Sequence, residues 1–266
     1  MHTSVATKRE KQRSTDTRNV VAAARTGGSK RSPFISRETL KSIIGAVIIF
    51  LVIRTFLVEA YHIPSGSMEP TLLVGDFLFV NKAIYGAHIP FTHTNLPGFS
   101  DPERNSVAVY ESPSQARLRP ELRIPNDLTP VVVKRLVGTP GDTLYMRAGL
   151  LYVNGNAEPR PAGEALKPLG WEDTPDPSFD WQAQYEIRGS RFGPPPEVPT
   201  HDNWGPIVIP PGHYFSLGDN RYNSVDARYY GPIPRANIRG KPMFIYLSID
   251  FDDWRIRWSR IGDGIH

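Results

Sequence analysis

The feature that most constrains this chain is its single long apolar run, SIIGAVIIFLVIRTFLVEA, from Ser42 to Ala60. Its unbroken core, Ile43 to Ile53, is short beside the ~20 residues a bilayer-crossing helix uses, and Arg54 interrupts it before Phe56-Leu57-Val58. An arginine so close to one end can snorkel to the headgroups, which keeps a membrane span open at modest cost. The run is apolar on every face, unlike the amphipathic helix of a soluble core. A cleavable leader would have a short basic start and an Ala-x-Ala-like end; here the flank reads VEAYHIPSG. A retained anchor over 42–60 is the reading that follows.

Charge gives the anchor a direction. Residues 1–41 hold ten Lys/Arg against Glu10, Asp16 and Glu38, a balance of +7; the whole chain carries +4, so the remaining residues carry −3. Basic residues before a span stay in the cytoplasm, so the bulk of the chain is expected on the other side. The tail, rich in Ser, Thr and Gly, reads as disordered. It lacks interleaved aromatics and the body is acidic, which argues against a nucleic-acid partner. With no cysteine, disulfides, thiol nucleophiles and thiolate metal sites are excluded. The histidines show no metal-ligand spacing, and neither metal nor organic cofactor is expected.

Beyond the anchor the apolar period is two. DFLFVNK (Asp76–Lys82), SVAVYES (Ser106–Ser112), TPVVVKRLVG (Thr129–Gly138), DTLYMRAGLLYVNGN (Asp142–Asn156), GPIVIPPGHYFSLGD (Gly205–Asp219) and PMFIYLSID (Pro242–Asp250) are β-rich stretches bounded by Gly, Pro, Asn or Asp. Asn154-Gly155 is a hairpin turn signal. A mainly β protein follows, with a coiled antiparallel, barrel-like domain over 61–266 behind one N-terminal transmembrane helix. The stretch from about 157 to 204, crowded with Pro, Asp, Glu and Trp, reads as an insertion without assigned chemistry.

No GxSxG elbow ties a serine to His62, His88, His93, His201 or His213, and no serine has Lys three positions later. A lysine base remains, and it needs a buried, neutral amine. In VVVKRLVG, Lys134 shares a face with Val132 and Leu136, whereas Val131, Val133, Arg135 and Val137 take the other. It is either such a base or an edge lysine whose amine reaches solvent. YHIPSGSMEPTL (Tyr61–Leu72) is likewise either an ordinary Ser/Gly turn or a segment that exposes a hydroxyl beside backbone N–H donors. Chain geometry adds that Ser67 lies within ~30 Å of Val58, near the membrane–water boundary.

Five stretches, taken in order, resemble bacterial type I signal peptidase, the membrane-anchored leader peptidase of the Ser/Lys class. They are LVIRTFLVEAYHIPSGSMEPTLLVGDFLFVNKAIYG, RNSVAVYESP, VVVKRLVGTPGDTL, GHYFSLGDNRYNSVDARYYGPI and GKPMFIYLSID. The resemblance covers Ile43 to Ile261 apart from the insertion. It implies that Ser67 is the nucleophile, Lys134 the general base, Ser65 an oxyanion donor with the Ser67 N–H, and Ser224 the residue that orients the lysine. It implies an ion pair of Asp226 with Arg228 and a supporting loop of Gly218, Asp219, Asn220 and Arg221. The implied partners are signal peptides of exported precursors and the lipid bilayer. Small residues at −1 and −3 would bind by strand addition beside Pro64, Ser65 and Val131–Val133, with Met68, Leu72, Val132 and Val133 about the pockets. Two departures from the family stand out: Ala227 replaces the usual Ser between Asp and Arg, and Asn105-Ser106 replaces Gly-Asp.

Overall fold

The computed structural model describes residues 36–87, 89, 92, 96–113, 131–159, 167–187, 189 and 191–266. Most of the basic tail, and His88 and His93, lie outside the described residues. The chain divides into one unit ending at Ile48 and a second, Ile49–His266.

Helix α1 (Arg37–Val52) continues into a π-helical turn, Ile53–Leu57, and none of its side chains is buried. Together Arg37–Leu57 make 21 helical residues with an 18-residue window of mean hydropathy 2.2, long and apolar enough to cross a membrane. The helix begins earlier than the apolar run because Ser36 caps it, its Oγ accepting from Thr39 N–H at 3.1 Å. It ends earlier than expected too: Val58–Ala60 belong to strand β1 (Val58–His62), paired with β2 (Asp76–Asn81). The short apolar core thus acquires its length from polar residues at the N-terminal end.

The other strands are β3 (Val107–Glu111), β4 (Val131–Gly138), β5 (Thr143–Arg147), β6 (Leu150–Val153), β7 (Asn156–Ala157), β8 (Trp204–Val208), β9 (His213–Leu217), β10 (Ile233–Pro234), β11 (Ile238–Asp250) and β12 (Arg255–Ile256); a short helix, α2 (Ala227–Tyr230), precedes β10. Among the described residues they form two antiparallel sheets. The larger has the order β1-β2-β11-β3-β4-β9-β10 with β12 on β11; the smaller is β7-β6-β5-β8. The long strand β11 pairs with β3 through Ile238–Gly240 and with β2 from Lys241 onward, and bulges along it add the twist that curls the sheet.

Period two explains the core. Val107 and Val109 point into a cluster with Ile63, Met68, Leu72, Leu78, Val80 and Ile245. Their neighbours Ala108 and Tyr110 point the opposite way, against Leu136, Tyr214, Ile233 and Ile238. Strand β3 is buried on both faces and therefore reads as a continuous apolar run. A third cluster, including Val137, Leu144, Met146, Trp204, Phe215 and Leu217, joins β4 and β9 to the smaller sheet. Burying each such side chain contributes about 1.5–3 kcal/mol. The Pro-rich stretch is part of this body: Asp176 caps a 3-10 helix, Pro177–Gln184, whose Phe179 is 1% exposed.

Candidate active site

Strand β1 delivers the chain to Ile63, whose buried side chain anchors one end of the next segment; Met68, 1% exposed, anchors the other. Between them Ser65 is extended and exposed, and Gly66–Met68 form one 3-10 turn that presents Ser67. The loop after β9 clamps this turn: Asn220 N–H donates to Ser67 O at 3.1 Å and Asn220 Nδ2 to Gly66 O at 3.2 Å.

From β4, Lys134 projects beneath the turn, 4% exposed, and its Nζ lies 2.5 Å from Ser67 Oγ. Of the two sequence readings of this lysine, burial is the one observed. The amine is lowered to about 8, chiefly by removal from water; within that balance the Asp226 charge raises it, Arg228 lowers it, and Asp219 raises it. The ammonium therefore loses its proton within reach of neutral pH.

Two carboxylates organise the surroundings. Asp219, fully buried, receives Arg135 Nε at 2.8 Å and Nη2 at 2.7 Å, plus Thr71 Oγ1 at 2.6 Å. Arg135 also donates to Asn105 O at 2.7 Å. Asn105 sits at φ 68°, a left-handed position that asparagine tolerates. Asp226 and Arg228 are both 0% exposed and joined by two contacts of 2.8 Å. Burial alone would raise the Asp226 carboxyl; Arg228 and the Gly218 N–H outweigh it and hold the group at about 2. Arg228 further bonds Arg221 O at 2.7 Å and His201 Nε2, while Trp181 Nε1 donates to Arg228 O at 2.9 Å. Ala227 is buried among Leu217 and Phe215, where a serine hydroxyl would need a partner.

Ser224 is buried beside the same cavity as Ser65, Ser67, Val132 and Lys134, but its Oγ makes no hydrogen bond among the described residues. The lysine amine is directed at Ser67 instead. Gly218 packs so tightly here that a Cβ would lie 2.5 Å from Ser67 O and also meet Ser224. Gly218→Ala is expected to displace the Ser67 turn, cut any activity that depends on it at least about 10-fold, and lower stability by about 1–3 kcal/mol; assay and thermal unfolding of the variant check both.

A narrow cleft of ≈ 210 Å³ runs from the Ser67–Lys134 pair between β1 and β4, lined by Pro64, Ser65, Met68, Val132 and Val133 among others. Leu72 does not line it. Expected at a pocket, it is fully buried with Leu78 and Val80 because the core takes its whole side chain. Sequence reasoning missed Thr71, Arg135, His201 and Trp181. A charge inside the apolar strand VKRLVG was a usable signal for Arg135; His201 and Trp181 arrive from the insertion, where nothing local marks them.

The family described as signal peptidase, peptidase S26, matches residues 36–247. The chain is 38% identical over 222 residues to a signal peptidase I of Pseudomonas aeruginosa, covering 78% of this chain and 71% of that one. It is 36% identical over 232 residues to a signal peptidase I of Pseudomonas fluorescens, with the same coverages. A solved signal peptidase I of Enterococcus faecalis is 23% identical and covers 53% of this chain and 97% of that one, at a TM-score of 0.30. On the extent of the family match and the identity to these curated relatives, the chain belongs to the signal peptidase family, peptidase S26.

Proposed function

We propose that this protein is a membrane-bound serine endopeptidase that removes N-terminal signal peptides from exported precursors, with Ser67 as nucleophile and Lys134 as general base. The observation that carries the assignment is the buried lysine amine, near 8, at 2.5 Å from a serine hydroxyl. Neutral Lys134 takes the Ser67 proton as Oγ attacks the scissile carbonyl. The oxyanion rests on the Ser67 N–H and the Ser65 hydroxyl, donors of a kind typically worth about 3 kcal/mol each. Protonated Lys134 gives its proton to the leaving amine, then activates the water that hydrolyses the ester. Ser224, unpartnered beside the same cavity, accepts a hydrogen bond from the neutral Lys134 amine once Ser67 is acylated.

Among the described residues, substrate binding by strand addition has two open edges to use: Val131–Lys134 pair with β3, while β9 joins β4 only from Arg135, and β1 pairs with β2 alone. The cleft's small volume suits small side chains at alternate positions, −1 and −3. The anchor holds this site at the membrane surface, with the basic tail in the cytoplasm and the catalytic domain, 61–266, outside. Exposed Phe251, Trp254 and Trp258 support contact with the lipid interface beside the cleft, Phe251 meeting His62 edge-on at 5.8 Å.

Purified full-length protein in detergent should cleave a precursor after an Ala-x-Ala site and retain that activity in chelator. Failure to cleave any such precursor under conditions where the protein is folded would remove the assignment.

A further inference from the structure

A second hollow, ≈ 500 Å³, adjoins the catalytic cleft and shares Tyr61 and Val131 with it. Its charged lining comprises Arg54, Glu59, Lys82, Glu111 and Arg239, three cations against two carboxylates. Both carboxylates are engaged. Glu59 faces Lys82 at 3.4 Å and accepts from the Tyr61 hydroxyl at 3.0 Å, and Glu111 pairs with Arg239. Arg54 is exposed and has no ion-pair partner among the described residues. The hollow thus presents one uncompensated positive charge.

Its place relative to the dyad follows from the strands. Four successive antiparallel pairings from β1 through β2, β11 and β3 to β4 make β1 and β4 run the same way. Both run from the hollow toward Ser67 and Lys134. Val131 is three residues, or about 10 Å, before Lys134 along β4. A peptide laid extended along these edges leaves the catalytic cleft at Val131 and Tyr61 about three to four residues from the scissile bond. The hollow also adjoins the end of the anchor, so the peptide passing through it is the signal side, which comes from the membrane.

We infer that this hollow is an upstream substrate subsite, receiving residues about four to seven positions before the cleavage point and selecting against basic side chains there through Arg54. The inference rests on the signal-peptide reading above. Its recognition chemistry is an acidic or neutral polar peptide segment against a net positive lining. The continuity with the catalytic cleft favours peptide over an anionic lipid headgroup, which would need no such connection.

The test uses full-length protein in detergent and one precursor carrying Asp, Asn or Lys at the sixth position before the cleavage site. The expected ranking of kcat/KM is Asp over Asn over Lys, with about 5-fold between the extremes, shrinking as salt rises. Arg54→Gln should flatten the series, and Arg54→Glu should invert it. A ranking that Arg54→Glu leaves unchanged, or equal rates for the three precursors, overturns the subsite while leaving the peptidase assignment intact. Equal loss on all three precursors, seen only in vesicles containing anionic lipid, also overturns it and assigns the hollow to a headgroup. No cleavage of any precursor by the unmodified enzyme defeats both readings.

Discussion

Ser67→Ala and Lys134→Met should each lower precursor cleavage by at least about 10⁴-fold, and the double variant should be no worse than either single one, because the two groups act as a unit. On the proposed mechanism the alanine removes the attacking oxygen, and the methionine keeps the volume of the lysine stem while removing the lone pair that receives the serine proton. Their effects on folding should differ, which separates chemistry from structure. Lys134 is lowered from 10.5 to about 8 by its surroundings. Between those values the unfolded chain holds a proton that the folded chain lacks, so stability rises with pH there. Below 8 both states are protonated and the burial penalty is felt in full, roughly 3 kcal/mol. Lys134→Met relieves it and should be more stable than the parent at neutral pH, by denaturant unfolding, while being inactive. An inactive but destabilised Lys134→Met would point to misfolding as the cause of its inactivity.

Breaking the buried pair beneath the dyad should have the next largest effect. Asp226 and Arg228 are wholly enclosed and bond one another through two contacts, and losing one partner strands the other's charge, at about 3–5 kcal/mol. Asp226→Asn and Arg228→Met should therefore both lower the unfolding temperature of the full-length protein. Their effects on the lysine should be opposite. The Asp226 charge raises the amine and the Arg228 charge lowers it, so the rising limb of activity should move to lower pH in Asp226→Asn and to higher pH in Arg228→Met. Limbs moving together would assign the pair a purely mechanical role. Acid stability offers a second readout. Asp226, held near 2 against an ordinary 3.8, contributes stability that is complete above about 4 and lost as pH falls through about 2. Asp226→Asn should lack that loss.

The strands were legible because alternation is a local property: Asp76–Asn81 and Val107–Glu111 fall inside the stretches that period two marks. The same local logic placed Lys134 on the face with Val132 and Leu136 and left only its burial to be seen. Where alternation is broken by costly backbone, the reading ran strands together. Asp142–Asn156 reads as one extended stretch, yet it turns at Ala148 and Gly149, with φ of 50° and 75°, and an alanine gives no warning of a left-handed turn. The anchor's ends were misplaced because a serine cap and a strand partner, not hydropathy, set them. The contribution of the insertion was not legible at all. His201 and Trp181 reach Arg228 across 27 and 47 residues, and such contacts exist only once the smaller sheet has folded. The Ser224 hydroxyl depends on a side-chain rotamer that sequence does not encode visibly.

The most direct test of Lys134 as the neutral base for Ser67 is its own titration, followed by Nζ-detected NMR in the intact protein beside the pH dependence of kcat/KM. The expected result is a midpoint near 8 that disappears in Lys134→Met and coincides with the rising limb of activity. A midpoint at the ordinary lysine value near 10.5, or a rising limb that does not follow the lysine, would contradict it.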